Sequence, residues 1–218
     1  MNEIAIIGAG GFGREVKWLI DRINVFSKQQ EGEEKWKILG FIDDGILPGT
    51  LIDSVPVLGG CDYLVDYKKE LFVVCAVGEA RVREKIIKRI KKNKNINFPN
   101  LIDPSVAFSE DLKIGQGNII CAGSILTVNV QLEDFCLINL DCTVGHDAKI
   151  HSYVTLYPSV NISGQTVIDS RVEIGTGSHL IQGIKVGESS IIGAGTVVIR
   201  DIPGNCTAVG SPARIIRR

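Results

Sequence analysis

A small α/β domain followed by an all-β domain of coiled parallel strands is the fold class the sequence predicts. Three observations predict it. Fifteen consecutive positions six apart, from Ile114 to Val198, are all Ile, Leu or Val. An apolar segment, Ile4–Ile7, runs straight into Gly8-Ala9-Gly10-Gly11-Phe12-Gly13. The apolar patterns on either side of Asp103-Pro104 differ in period.

A period of six fits neither an amphipathic helix nor a long alternating strand. It fits a parallel β-helix in which each hexapeptide is one short strand and a turn. Three hexapeptides make a triangular coil of 18 residues, so fifteen make five coils. Each aliphatic residue then points inward and stacks on its equivalent one coil away, at about the 4.7–4.9 Å strand spacing. Ile102 and Phe108 extend the phase backwards. The position four further on is usually small or β-branched (Ser124, Cys136, Cys142, Ala148, Val154), which suits the corner of a narrow prism. No single repeat buries its own apolar face, so stacking supplies the core.

Residues 3–8 read as a buried strand, and Val16, Leu19, Ile20 and Ile23 as one face of the helix that follows. Strand, glycine-rich turn and helix in that order form the phosphate-binding start of a Rossmann-like unit, where backbone N–H groups at a helix N-terminus meet a phosphate. Residues 27–37 are polar and predict an exposed loop. Residues 38–42 predict a second strand ending in Asp43-Asp44, where an acidic residue commonly meets a ribose or base; a turn or helix cap is the competing role. Residues 55–59 predict a short edge strand because Pro56 lacks an N–H, and residues 60–67 a helix. Residues 71–77 predict a strand closed by Gly78. Residues 79–92 predict a helix with Val82, Ile86, Ile87 and Ile90 inward and its lysines and arginines in solvent. Residues 97–102 lead out as a last strand. The predicted domains are 1–103, half of a full dinucleotide fold and so suited to a nucleotide diphosphate, and 104–218, the repeats.

Composition excludes several classes. Charged residues are 22% and the net charge is −1, with neither half polarised, so no nucleic-acid or anionic-membrane partner is expected. Arg14, Glu15 and Lys17 interrupt the apolar N-terminus, which does not read as a signal peptide, and no apolar run is long enough to span a bilayer. The six cysteines lack CxxC spacing and read as reduced, structural thiols of a cytoplasmic protein.

Three histidines are present: His146, His151 and His179. His146 follows the inward Val144 by two residues, at a turn, with Asp147 next. An exposed turn histidine beside a carboxylate suits a general base. No GxSxG signature occurs, and covalent catalysis is not favoured. His146 and His151, five apart, also resemble part of the zinc site of hexapeptide-repeat carbonic anhydrases, but Glu110 stands where the third histidine would lie; no metal is expected.

The whole chain resembles one family. Ile-Gly-Ala-Gly-Gly-Phe-Gly, the Asp43-Asp44 pair, repeats containing Gly145-His146-Asp147-Ala148, and the ending Val209-Gly210-Ser211-Pro212-Ala213-Arg214 are similar to bacterial sialic acid O-acetyltransferases and nucleotide-sugar N-acetyltransferases. The resemblance implies a left-handed β-helix, a homotrimer, and acetyl-CoA as co-substrate in the groove between prisms. It implies His146 as general base, Asp147 as its acidic companion and Asn139 as a further catalytic residue. Contacts to the nucleotide-sugar fall on Gly10, Gly11, Phe12, Asp43, Asp44 and Gly78. Contacts to acetyl-CoA fall near Thr155, Thr176, Gly193 and Ala194. A backbone N–H from a coil turn, of Gly164 or a neighbour, is expected to stabilise the oxyanion. Some members carry histidine at the positions of Phe12 and Thr155, so pocket polarity differs here. The implied reaction is direct transfer of acetyl to the amine of a nucleotide-linked 4-amino-4,6-dideoxyhexose in surface-glycan synthesis. O-acetylation of a sialic acid is the nearest alternative, and a non-catalytic accessory subunit or a metal hydratase the more distant ones.

Overall fold

The computed structural model describes residues 1–217 and separates into two compact units, Met1–Pro104 and a second beginning at Ser105. The first unit is a parallel sheet with helices. Its strands are β1 (Asn2–Ile7), β2 (Trp36–Ile42), β3 (Leu51–Ile52), β4 (Val55–Gly59), β5 (Leu71–Cys75) and β6 (Ile96–Asn97), in the order β3-β4-β2-β1-β5-β6. Its helices are α1 (Gly11–Glu31), α2 (Cys61–Val65) and α3 (Ala80–Ile90). Residues Ile4–Ile7 are at most 2% exposed, as a central parallel strand covered on both faces requires. Strand order reverses at β1, whose neighbours are β2 and β5. Ligands of open α/β sheets bind outside the carboxyl ends of the strands at such a point.

Several boundaries differ from the sequence reading. Helix α1 continues through residues 27–31, which the polar composition had assigned to a loop. Ser27 is buried and its hydroxyl donates to Glu31. The helix stops at Gly32, whose φ of 85° is the left-handed C-terminal stop. Strand β4 is covered on its outer side by the short antiparallel β3, which the sequence did not suggest. The last strand breaks into residues 96–97 and 101–102 around Phe98-Pro99-Asn100. Helix α3 is not solvated on all its basic positions: Arg83 is 1% exposed.

The second unit is a left-handed parallel β-helix of two-residue strands on three faces. Its first face holds Ile119–Ile120, Leu137–Ile138, Thr155–Leu156, Glu173–Ile174, Ile191–Ile192 and Thr207–Val209. The second face runs from Ala107–Phe108 to Val197–Val198, and the third from Lys113–Ile114 to Lys185–Val186. Up to Val198 the pairings step by one 18-residue coil: Ile120 on Ile138, Leu126 on Val144, Leu132 on Ile150; the last step, Ile191 on Thr207, is 16 residues. Fourteen of the fifteen in-phase aliphatics are at most 2% exposed. Ile114 is half-buried and Phe108 is 50% exposed, because each begins its face. The small corner residues are fully buried, and their polar atoms donate to turn carbonyls of the next coil: Ser124 Oγ to Asn139 O at 2.9 Å, Ser178 Oγ to Gly193 O at 2.9 Å, Cys136 Sγ to His151 O at 3.1 Å. A serine or cysteine thus fills the corner and satisfies a carbonyl at once. Among the described residues no helix is long and apolar enough to cross a membrane.

From Gly117 to Gly195 each turn has one residue at positive φ, recurring every six positions: Asn129, Phe135, Asp141, Asp147 and Tyr153 lie between 56° and 63°. Asn, Asp and Gly tolerate this conformation best. It also turns the side chain at that position relative to its predecessor, which matters at Asp147.

Candidate active site

The chemistry gathers on the corner between the second and third faces. Strand Thr143–Val144 ends, and Gly145-His146-Asp147-Ala148 turns the chain into Lys149–Ile150. His146 is 46% exposed and Asp147 45%. Adjacent side chains usually diverge, but φ of 59° at Asp147 brings its carboxylate back: Oδ2 lies 2.8 Å from His146 Nδ1. The carboxylate accepts, so Nδ1 carries the proton, and in the neutral imidazole Nε2 then keeps the lone pair. Hydrogen bonds from His146 and from Asn129 Nδ2 (3.2 Å) hold the Asp147 carboxyl below its ordinary pKa.

Glycine on the next coil makes room for the ring. A Cβ on Gly164 would lie 2.4 Å from Nε2, 2.6 Å from Cε1 and 2.7 Å from Cδ2 of His146. The imidazole therefore rests flush on the Gly164 backbone. Gly164 is buried, and its nitrogen lies against Gly145, where an added Cβ would come within 2.6 Å. Gly164 is thus a floor for the His146 ring.

The other residues of the expected site are not all brought together. Asn139 sits on the corner between the first and second faces, one corner away from His146. Its side-chain oxygen accepts from Leu140 N at 2.7 Å. Thr176, Gly193 and Ala194 share that corner, on later coils; Thr176 and Ala194 are exposed and Gly193 is half-buried. Thr155 lies on the first face and is 2% exposed, so its hydroxyl is not on open surface as a coenzyme contact would require. His179 projects from the second face, paired with Asn161 and Val197. His151 has its own carboxylate: Nδ1 is 3.0 Å from Glu133 Oε1, on the third–first corner. Burial pushes Glu133 up, but bonds from Ser152 and His151 outweigh it and hold the carboxyl below its usual value. His146 and His151 thus occupy different corners and engage different acids. Among the described residues no group of three His, Cys, Asp or Glu side chains is arranged to hold a metal ion.

In the first unit, the turn at the end of β1 is built for close approach. A Cβ on Gly13 would fall 1.9 Å from Gly8 O, so only glycine lets α1 start there. Gly10 and Gly11 are exposed with open space where a side chain would be, and Phe12 is half-buried. Both aspartates at the end of β2 hold backbone. Asp43 Oδ2 accepts from Ala9 N and Oδ1 from Gly45 N, each at 2.9 Å. Asp44 Oδ1 accepts from Cys61 N at 2.8 Å and so caps α2. Of the two roles open from sequence, the structural one accounts for the bonds observed. Gly78 lies in the loop after β5, beside the switch point. Arg83 Nη1, buried, donates to Val77 O at 2.6 Å and Gly78 O at 2.9 Å. Sequence reasoning missed Arg83 because helical spacing places a basic residue in solvent by default.

A coiled prism with an acid-backed histidine on an exposed corner, preceded in the chain by a glycine-rich βα turn, defines the class: a hexapeptide-repeat acetyltransferase of the coenzyme A-dependent type. Comparison with known proteins narrows it. Residues 3–90 match the PglD N-terminal domain family. The acetyltransferase domain of PglB from Neisseria gonorrhoeae FA1090, solved with acetyl coenzyme A, is 31% identical at a TM-score of 0.87, covering 99% of this chain and 100% of that one. WeeI from Acinetobacter baumannii AYE is 31% identical at 0.86, covering 99% and 100%. PerB from Caulobacter crescentus, solved with CoA and GDP-perosamine, is 27% identical at 0.80, covering 99% and 97%. Galactoside O-acetyltransferase of Escherichia coli K12 is 30% identical over 155 residues, 64% of this chain and 70% of that protein. The chain spans between 25% and 60% of the length of the first four curated relatives it matches. The chain belongs to the bacterial nucleotide-sugar N-acetyltransferase family with the hexapeptide-repeat fold.

Proposed function

We propose that the protein transfers the acetyl group of acetyl-CoA to the amine of a nucleotide-linked amino sugar, of the 4-amino-4,6-dideoxyhexose type, in the cytoplasm during surface-glycan synthesis. The observation that carries the reading is the His146 site, an imidazole whose Nδ1–H is committed to Asp147 at 2.8 Å and whose Nε2 is left basic. His146 Nε2 takes the proton as the acceptor nitrogen forms its bond to the thioester carbonyl carbon. The C–S bond then breaks, and the proton passes to the departing sulfur. Gly10, Gly11, Phe12 and Gly78 line the switch point that suits the nucleotide diphosphate. Asp43 and Asp44 shape it from behind.

The co-substrate is assigned to the grooves of a homotrimer, where the corner bearing Thr176, Gly193 and Ala194 on one prism faces the corner bearing His146 on its neighbour. Exposed Thr176 and Ala194 and the bare Gly193 fit a flat pantetheine chain; buried Thr155 supports that corner without touching the chain. PerB and the PglB domain, solved with CoA or acetyl-CoA, support the coenzyme class, and the GDP-perosamine bound to PerB supports a nucleotide-sugar acceptor. The likeness to galactoside O-acetyltransferase supports a second reading, transfer to a hydroxyl by the same base.

The test is acetyl-CoA-dependent thiol release against UDP-, dTDP- and GDP-linked 4-amino sugars, sialic acid and its cytidine-activated form. Release with an amino sugar is expected. Release with sialic acid alone moves the function to O-acetylation, and silence without acetyl-CoA binding overturns both.

A further inference from the structure

On the corner below His146, equivalent turn positions stack in a column. Asp111, Asn129 and Asp147 follow one another at 18-residue steps, the last two at φ of 56° and 59°. Asp111 Oδ2 accepts from Asn129 N at 3.0 Å. Asn129 Nδ2 donates to Asp147 Oδ1 at 3.2 Å, and Asp147 Oδ2 meets His146 Nδ1. The carboxylate nearest the imidazole is thus held at both oxygens, by the ring on one side and by an amide on the other.

We propose that Asn129 is a positioning residue: through Asp147 it fixes the orientation and tautomer of His146. The inference rests on the reading of His146 as base. An exposed carboxylate bonded only to its neighbour's ring is free to rotate into water. A second bond from the coil below removes that freedom, as partners behind a ligating or catalytic group commonly do. The column also explains why this residue is neutral. Asp111 lies below and Asp147 above, at roughly the 4.8 Å coil spacing, so a third carboxylate would add like charge beneath the imidazole. A carboxamide gives the donor without the charge and tolerates the left-handed turn.

The charged surroundings are sparse. On this corner the adjacent coils carry Thr127, Val128 and Asn129 below, and Ser163, Gly164 and Gln165 above, none ionisable. Glu110 and Asp111 lie two coils below, and exposed Lys149 begins the third face on the same coil. Asp147 is therefore the nearest charged partner of His146, and what holds Asp147 governs the ring.

With three histidines in the chain, the His146 ring signal is identifiable in an NMR titration by its loss in His146→Gln. Asn129→Asp is isosteric and suits the turn; it is expected to raise the His146 titration midpoint by about 0.5–1 unit, as an added nearby negative charge does. Asn129→Gly keeps the positive φ and removes the donor; it is expected to lower kcat roughly 10-fold with both KM values unchanged. A thermal transition within about 3 °C of wild type, as expected for a surface change, separates this from unfolding. An Asn129→Asp midpoint equal to wild type overturns the inference, and so does an Asn129→Gly enzyme with wild-type kcat. The titration needs no substrate. If no acceptor turns over yet the midpoint moves, the positioning geometry stands and the base assignment fails.

Discussion

Gly164→Ala adds one methyl group at the place where the His146 ring rests. The new Cβ would meet Nε2 at 2.4 Å, Cε1 at 2.6 Å and Cδ2 at 2.7 Å. Carbon contacts settle near 3.5–4.0 Å, so the ring must withdraw by roughly 1 Å. It can do so, because His146 is 46% exposed in the single chain. Gly164 is not at positive φ, so alanine suits its backbone. The substitution therefore spares the fold and moves the base. Misplacing a catalytic group by 1 Å costs about 10²-fold, and kcat is expected to fall by about that factor while the thermal transition stays within about 3 °C. Gly145→Ala is the contrasting control. Its Cβ would meet Gly164 N at 2.6 Å and Ser163 C at 2.9 Å, which are backbone and cannot swing aside. It is expected to lose stability by roughly 1–3 kcal/mol. Thiol release from acetyl-CoA gives kcat, and circular dichroism gives the transition. A Gly164→Ala enzyme with wild-type kcat would refute the reasoning, since the ring would then have no need of its place on Gly164.

His146→Ala is expected to lower turnover by roughly 10²–10⁴-fold if Nε2 is the base, measured in the same assay. The native thiols should not disturb that assay. All six cysteines are buried, and burial pushes Cys61 to about 12 and Cys75 and Cys142 to about 11; a thiol reagent should titrate none in the folded protein at neutral pH and all of them in guanidinium. Arg83→Met removes the buried donor to Val77 O and Gly78 O. It should cost roughly 1–3 kcal/mol in urea denaturation and raise KM for the nucleotide-sugar more than for acetyl-CoA. Glu133 has its folded pKa depressed from 4.5, so its contribution is present above that value and fades as pH falls through the folded pKa. Glu133→Gln should lower Tm by about 1–2 °C at pH 7 and converge on wild type in acid.

Much of this architecture was legible because its determinants are periodic. Six-residue spacing located the inward stack, and fourteen of its fifteen members are buried. His146 was legible as a turn residue by its offset from Val144. What pairs it with Asp147 was not, since that depends on a left-handed φ at position 147 rather than on adjacency. A signal was nonetheless present: Asn, Asp and Gly recur at that position of the turn, as at Asn129, Asp141, Gly177 and Gly183. Gly32 likewise marked the true end of α1, but the polar run from Ser27 masked it. Arg83 could not be found from helical spacing, because its burial comes from two loop carbonyls. Asp43 and Asp44 carried an open choice between a ligand contact and a turn or cap, and the backbone N–H groups they hold were not legible from their position at a strand end.

The placement of Asn139 has a consequence for assembly. Asn139 and His146 lie on different corners of one prism, separated by the whole second face. If both serve one reaction, the site is completed by two chains, with His146 from one prism and Asn139 from its neighbour. Such a site predicts complementation. In the proposed homotrimer, the His146→Ala and Asn139→Ala variants should each be nearly inactive. After denaturation and co-refolding in equal amounts, subunits mix at random, and a given groove holds wild-type His146 and wild-type Asn139 with a chance of about one in four. Roughly a quarter of wild-type activity should return, while unmixed variants refolded alone should stay silent. Activity that does not exceed the sum of the separate variants would place Asn139 outside the reaction, because no arrangement of one prism brings that corner to the imidazole.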